Sequence, residues 1–146
     1  MTDLTRRDTL VLAGTGLAAM ASPAAAQSNR NPIKIGFCMA LTGGLAVGGR
    51  AALLAYQIWA DEVNAAGGLL GRKVELVYYD DQTNPAAVPG IYAKLLDVDK
   101  VDLVVSGYGT VSTAPAMPII AQRGKLFLSL LAIDANDQCI ALALGR

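Results

Sequence analysis

The sequence contains no histidine. Any mechanism that needs an imidazole base is therefore excluded, including the usual serine and cysteine hydrolase arrangements. The commonest metal ligand is missing for the same reason. Cysteine is scarce: Cys38 and Cys139 stand apart, with no CxxC and no zinc spacing. Neither sign of charge is in excess, because 12 Lys and Arg meet 12 Asp and Glu. Without a basic stripe, nucleic acid and anionic membrane surfaces are poor partners. Phosphate and dinucleotide loops are also lacking. Gly43-Gly44 and Gly48-Gly49 do not make GxGxxG, Gly107-Tyr108-Gly109 lacks the third glycine, and no GxxxxGK[ST] occurs. Catalysis thus has no support from the residues, and no cofactor or metal site is expected.

No stretch is a plausible membrane span. The apolar stretch at 10–21 is too short, and it sits inside a leader. Arg6 and Arg7 precede it, Pro23 follows, and Ala24-Ala25-Ala26 supplies the small residues that a signal peptidase needs before Gln27. Residues 1–26 therefore read as an export signal cleaved near Ala26. Thr5-Arg6-Arg7 with Leu10 resembles the twin-arginine type. Thr9 replaces the usual aromatic and Val11 the frequent lysine. The general export route and an uncleaved anchor are the alternatives. The mature product, 27–146, is expected to be soluble and periplasmic. About 120 residues remain, and chains of that size bury roughly 60–70% of their surface, enough for one core.

What is present centres on 33–49, IKIGFCMALTGGLAVGG. The first seven residues read as a strand that is apolar on both faces. Such a strand belongs in the middle of a parallel sheet with helices above and below. The loop that follows holds four glycines, Gly43, Gly44, Gly48 and Gly49. A helix is expected at 50–65, burying Ala51, Leu54, Ala55, Ile58, Trp59 and Val63. Leu54, Ile58, Trp59 and Val63 should each contribute about 1.5–3 kcal/mol. Trp59 reads as core rather than as a group stacking on a ligand. Cys38, inside the strand, reads as a buried, inert thiol, with a Cys38–Cys139 disulfide as the alternative.

Alternation continues along the chain. A strand is expected at 73–80, a helix opening at Asn84-Pro85, a strand at 101–106, a helix at 113–123 and a strand at 125–131. Pro89-Gly90 either kinks the second helix or delays its start to Pro89. Its apolar side is Ile91, Leu95, Leu96 and Val98. Asp80 and Asp81 read as a turn with a solvated carboxylate, or else as a cation or hydroxyl ligand. The pattern predicts an open parallel α/β sheet with right-handed crossovers.

In such a sheet the loops after strands one, three and four leave the same edge, which is where these sheets bind ligands. The walls would be 41–49, 106–112 and 129–133. The middle one is the most polar, with Ser106, Tyr108, Thr110, Ser112 and Thr113. Hydroxyls and N–H groups at a helix start suit a carboxylate. Each hydroxyl alone reads equally as a helix cap.

IKIGFCMALTGGLA, DEVNAAGGLLGRKVELVYYDDQTNP and KVDLVV, in this order, resemble the periplasmic solute-binding proteins of ABC importers for branched-chain amino acids, the Leu/Ile/Val-binding family. The likeness covers about 33–133. It implies a type I binding fold in which a two-lobed protein closes over a small solute and delivers it to a permease in the inner membrane without chemistry, with this chain keeping part of the N-terminal lobe. It places Thr110 where a hydroxyl grips the ligand carboxylate, and Leu131 or Ala132 where a backbone carbonyl takes the amine. Ile133 stands where amino-acid binders often have threonine, so amides, urea and aromatic carboxylates remain candidate solutes. Tyr108 could stack on a ring. The candidate site is thus Leu41, Thr42, Gly43, Tyr108, Thr110, Ser112, Leu131, Ala132 and Ile133. Members of that family are two to three times longer. Residues 134–146 do not resemble a crossover to a second lobe, so a truncated or frame-shifted product with half a cleft and weak or absent capture is expected. A ligand-sensing domain and a nucleotide-using enzyme are the other readings.

Overall fold

The computed structural model describes residues 31–130. The expected leader at 1–26, the third-wall residues Leu131, Ala132 and Ile133, Cys139 and the segment 134–146 lie outside the described residues.

The chain alternates strand and helix. β1 (Ile33–Met39) leads to α1 (Ala46–Ala65), β2 (Val74–Asp80), α2 (Val88–Asp97) and β3 (Leu103–Val105). The short α3 (Thr110–Thr113), α4 (Met117–Gln122) and β4 (Phe127–Leu128) follow. The four strands form one sheet in the order β2-β1-β3-β4, and every pairing is parallel. β1 pairs along its whole length with β2, from Ile33 opposite Val74 to Met39 opposite Asp80.

The central position of β1 follows from its composition. Ile33, Ile35, Phe37 and Met39 enter the core that α1 covers. Cys38 enters the opposite core, built from Val88, Tyr92, Leu95 and Leu96 of α2 and from Ile120 of α4. Strand residues alternate in direction, so one strand feeds both layers. Phe37 is the hub of the first core, edge-on to Tyr56 at 5.0 Å and stacked on Tyr78 at 5.4 Å between ring centroids. Such aromatic pairs add about 0.5–1.5 kcal/mol beyond area burial. The Cys38 thiol is fully buried, and burial together with the neighbouring Asp81 charge pushes it up to about 12. It stays protonated, and hence weakly nucleophilic, at neutral pH.

Several expected boundaries and faces are corrected. α1 begins at Ala46, not at residue 50, so Gly48 and Gly49 are helical rather than loop. Its packed face is Gly49, Ala52, Leu53, Tyr56, Ala60 and Val63. Leu54, Ile58 and Trp59 are 57%, 50% and 42% exposed, so the expected core stripe, Val63 excepted, faces outward. The reason is distance. A Cβ on Gly49 would collide with the Ala40 carbonyl oxygen, so the helix approaches the sheet on its smallest residues. α2 starts late, with Pro89 in its first turn. Proline is tolerated there because the first N–H groups lack helical partners. Tyr92 is buried on that helix, while Val98, expected inside, is exposed. The helix expected at 113–123 is split into α3 and α4 around Pro115, and Pro118 sits in the first turn of α4. Among the described residues no helix is long and apolar enough to cross a membrane.

Substituting Gly49→Ala should destabilise the fold by about 1–3 kcal/mol through overpacking. Gly44→Ala meets nothing within 4 Å and should stay within about 0.5 kcal/mol of the parent. Urea denaturation of both variants measures the difference.

Candidate functional site

A parallel sheet sends every strand's C-terminal end to one edge. The loops 40–45, 81–87 and 106–109 therefore meet at a single rim.

The first loop is fastened by Asp80, the last residue of β2. Its Oδ1 accepts N–H bonds from Leu41 (3.0 Å), Thr42 (3.2 Å) and Gln82 (2.8 Å), and its Oδ2 accepts the Thr42 hydroxyl at 2.7 Å. Thr83 adds a second tie, with its hydroxyl donating to the Thr42 carbonyl oxygen and accepting the Leu45 N–H. Arg50 Nε closes the loop from the helix side on the Leu41 carbonyl oxygen at 2.9 Å. Gly43 has φ of 83°, and a Cβ there would lie 2.5 Å from the Gln82 carbonyl oxygen, so glycine is required on both counts. Leu41 is half-buried, and Thr42 and Gly43 are exposed at the rim. The Thr42 hydroxyl is spent on Asp80, so this wall offers a ligand shape and the glycine backbone rather than a side-chain donor.

The second loop is fastened by Asp81, which is 0% exposed. Its Oδ1 accepts the Thr83 N–H at 2.9 Å and its Oδ2 accepts the Ser112 hydroxyl at 2.6 Å. A buried carboxylate is costly unless hydrogen-bonded, and these bonds meet that need. The expected solvated acid is thus corrected for Asp81, which lies inside. Ser112 is 1% exposed and holds the loop from beneath. Ser106 is buried as well, its Oγ accepting the Leu130 N–H at 3.0 Å, which ties the loop after β4 to the loop after β3. Thr113 donates to the Gly109 carbonyl oxygen, one turn back.

Tyr108 and Thr110 remain at the surface of this wall. Tyr108 is half-buried, its ring lying over Gly48 of α1, where any Cβ would strike it. Thr110 is exposed and opens α3 after Gly109, whose φ of 87° is a backbone region that favours glycine. α3 is a single turn, and the N–H groups of Ser112 and Thr113 donate to the Gly109 carbonyl oxygen. The expected helix-dipole contribution to anion binding is therefore small, and the hydroxyl-bearing residues nearest the surface of this wall are Tyr108 and Thr110.

The rim thus brings together Leu41, Thr42, Gly43, Tyr108 and Thr110, with Ser112 behind them. The acids and Thr83 were missed as organisers of the rim. Their signal in the sequence is DDQT at the end of an apolar strand, where capping side chains satisfy loop N–H groups. Among the described residues no group of three or more His, Cys, Asp or Glu is placed to hold a metal ion.

Partial burial pushes the Asp80 carboxyl upward, but the bonds from the Thr42 hydroxyl and from the Gln82, Leu41 and Thr42 N–H groups outweigh it and hold the group below the usual 3.8. A depressed carboxylate contributes stability above its unfolded pKa and loses it as pH falls through the folded value. The Leu41 and Thr42 amide resonances should therefore hold steady down to about pH 4 and shift with a midpoint below 3.8. An NMR pH titration reads this directly.

Comparison with known proteins agrees with the geometry. A family profile described as periplasmic binding protein matches residues 32–141. An amino acid binding protein of Pseudomonas aeruginosa is 34% identical over 70 residues, 48% of this chain and 19% of that protein. A leucine-, isoleucine-, valine-, threonine- and alanine-binding protein of the same organism is 30% identical over 125 residues, 86% of this chain and 32% of its own length. Among solved structures, the branched-chain amino acid transporter substrate binding protein LivJ of Streptococcus pneumoniae, in complex with isoleucine, superposes with a TM-score of 0.68. It is 32% identical, over 72% of this chain and 30% of that one. The chain spans less than a third of the length of these relatives. The profile covers most of the chain, so this chain belongs to the periplasmic binding protein family.

Proposed function

We propose that this chain is part of the substrate-binding component of an ABC importer. It captures a branched-chain amino acid, or a related small amide or carboxylate, in the periplasm and passes it to an inner-membrane permease. The observation that carries this reading is the convergence of two tethered loops, 41–45 and 108–113, at one rim of a parallel sheet. Open α/β sheets bind ligands at that edge. The relatives support it, because their names state that they bind amino acids.

Each rim residue then has a role. Leu41 and Gly43 shape the apolar side. Thr42 holds the loop through its bonds with Asp80 and Thr83. Thr110 supplies a hydroxyl to a carboxylate or amide, and Tyr108 offers a ring face beside it. Leu131, Ala132 and Ile133 follow Leu130, and we assign them to the third wall. Ile133 has no hydrogen-bonding group, which favours solutes that need fewer polar anchors than an α-amino acid. The rim holds the solute by shape and hydrogen bonds and leaves it unchanged, so the protein is not an enzyme. Export by the leader at 1–26, cleaved near Ala26, would deliver it to the periplasm.

Titration of the full chain with L-isoleucine, urea and benzoate, followed by amide NMR, tests the assignment. Shifts confined to 41–45, 106–113 and 131–133, saturating at about millimolar solute for half a cleft, are expected. Shifts elsewhere with a silent rim, or conversion of any solute, would refute it.

A further inference from the structure

Asp80 and Asp81 are neighbours in sequence, yet they serve different loops. Successive side chains of an extended chain point to opposite faces. Asp80 lies opposite Met39, whose side chain belongs to the α1 side of the sheet. Its carboxylate reaches the loop that precedes α1. Asp81 turns to the other side and reaches Ser112 in α3. Its own N–H donates to the Met39 carbonyl oxygen, so the acid pair is anchored to the end of the central strand. Thr83, bonded to Asp81 through its N–H and to Thr42 through its hydroxyl, joins the two halves.

We propose that Asp80 and Asp81 are positioning residues for the ligand wall: each sets the place of one rim loop, and together they fix the spacing between them. The pair does not touch the solute. Asp81 is fully buried, and Asp80 is occupied by the Leu41, Thr42 and Gln82 bonds. The role rests on the reading of the rim as a solute site. It deepens that reading by locating a determinant of affinity one layer below the contact surface. Gln82 and Thr83 have φ of 57° and 58°, an uncommon backbone region for residues other than glycine. This turn is what lets one strand end present acceptors to both loops.

The test is amide hydrogen exchange on the full chain, with L-isoleucine affinity measured alongside by NMR titration. Asp80→Asn should speed exchange at Leu41 and Thr42 about tenfold or more, the loss expected for hydrogen bonds to a charged acceptor, and leave 110–113 unchanged. Asp81→Asn and Ser112→Ala should do the reverse. Isoleucine affinity should fall about tenfold in each variant. Ser112→Thr, which keeps the hydroxyl, should restore both readouts. Asp97→Asn, which breaks the exposed pair with Arg123 between α2 and α4, should move neither. Exchange that rises evenly along the chain as global stability falls would overturn the proposal. So would loosened loops with unchanged isoleucine affinity. A parent chain that binds none of L-isoleucine, urea and benzoate would defeat the solute reading by itself. The split of exchange between the two loops would then still decide whether the acids place them.

Discussion

β1 is paired on both edges and, Lys34 excepted, apolar on both faces, and the remaining structure depends on that. Its N–H and C=O groups are taken by β2 along its length and by β3 at Ile35 and Gly36. A strand so enclosed cannot sit at an edge or face water, and parallel neighbours can be reached only through crossovers. α1 must lie on one face, and α2 and α4 on the other. All strand ends then point the same way, and the connecting loops are gathered at one rim. The rim is thus a consequence of how the core closes.

Gathering loops does not fix them. The loop after β1 is glycine-rich, and α3 is one turn long. Neither has an apolar interior of its own. Their order comes from polar ties that end on two carboxylates at the tip of β2. Burying Asp81 is expensive in isolation and acceptable here because an N–H and a hydroxyl meet it. The Gly48–Tyr108 contact adds a steric stop: the helix after the first loop carries no side chain where the ring of the second loop lies. Carboxylate bonds below and a ring against a helix above leave the two walls little freedom of separation.

The layered parallel sheet was legible in the sequence. Apolar runs of strand length, separated by helical periods, admit few other arrangements, and the strand at 33–39 was delimited correctly because both of its faces are apolar. The face of α1 was not legible. Ala51, Leu54, Ala55 and Ile58 form as good an apolar stripe as Ala52, Leu53, Tyr56 and Ala60, and hydropathy cannot choose between them. Close approach chose, through Gly49 and Ala60, and that depends on a carbonyl oxygen of another element. Asp81 was misjudged for a similar reason: a short acidic pair after a strand looks solvated until its long-range partner, Ser112, is known. Pro89 left two outcomes open, and packing of Val88 and Tyr92 selected the late start. Tyr108 and Thr110 lie at the rim because they follow an apolar strand at its C-terminal end, and their contact with a solute belongs to the proposal. Residues 131–133 lie outside the described residues, so their place on the rim rests on sequence alone.

The most direct measurement is an intermolecular NOE experiment between the methyl groups of L-isoleucine and the full chain. NOEs to the Tyr108 ring, the Thr110 methyl and the Gly43 backbone, all at the C-terminal rim, are expected. NOEs to Gly71, Arg72 or Val101, at the opposite end of the strands, would contradict it.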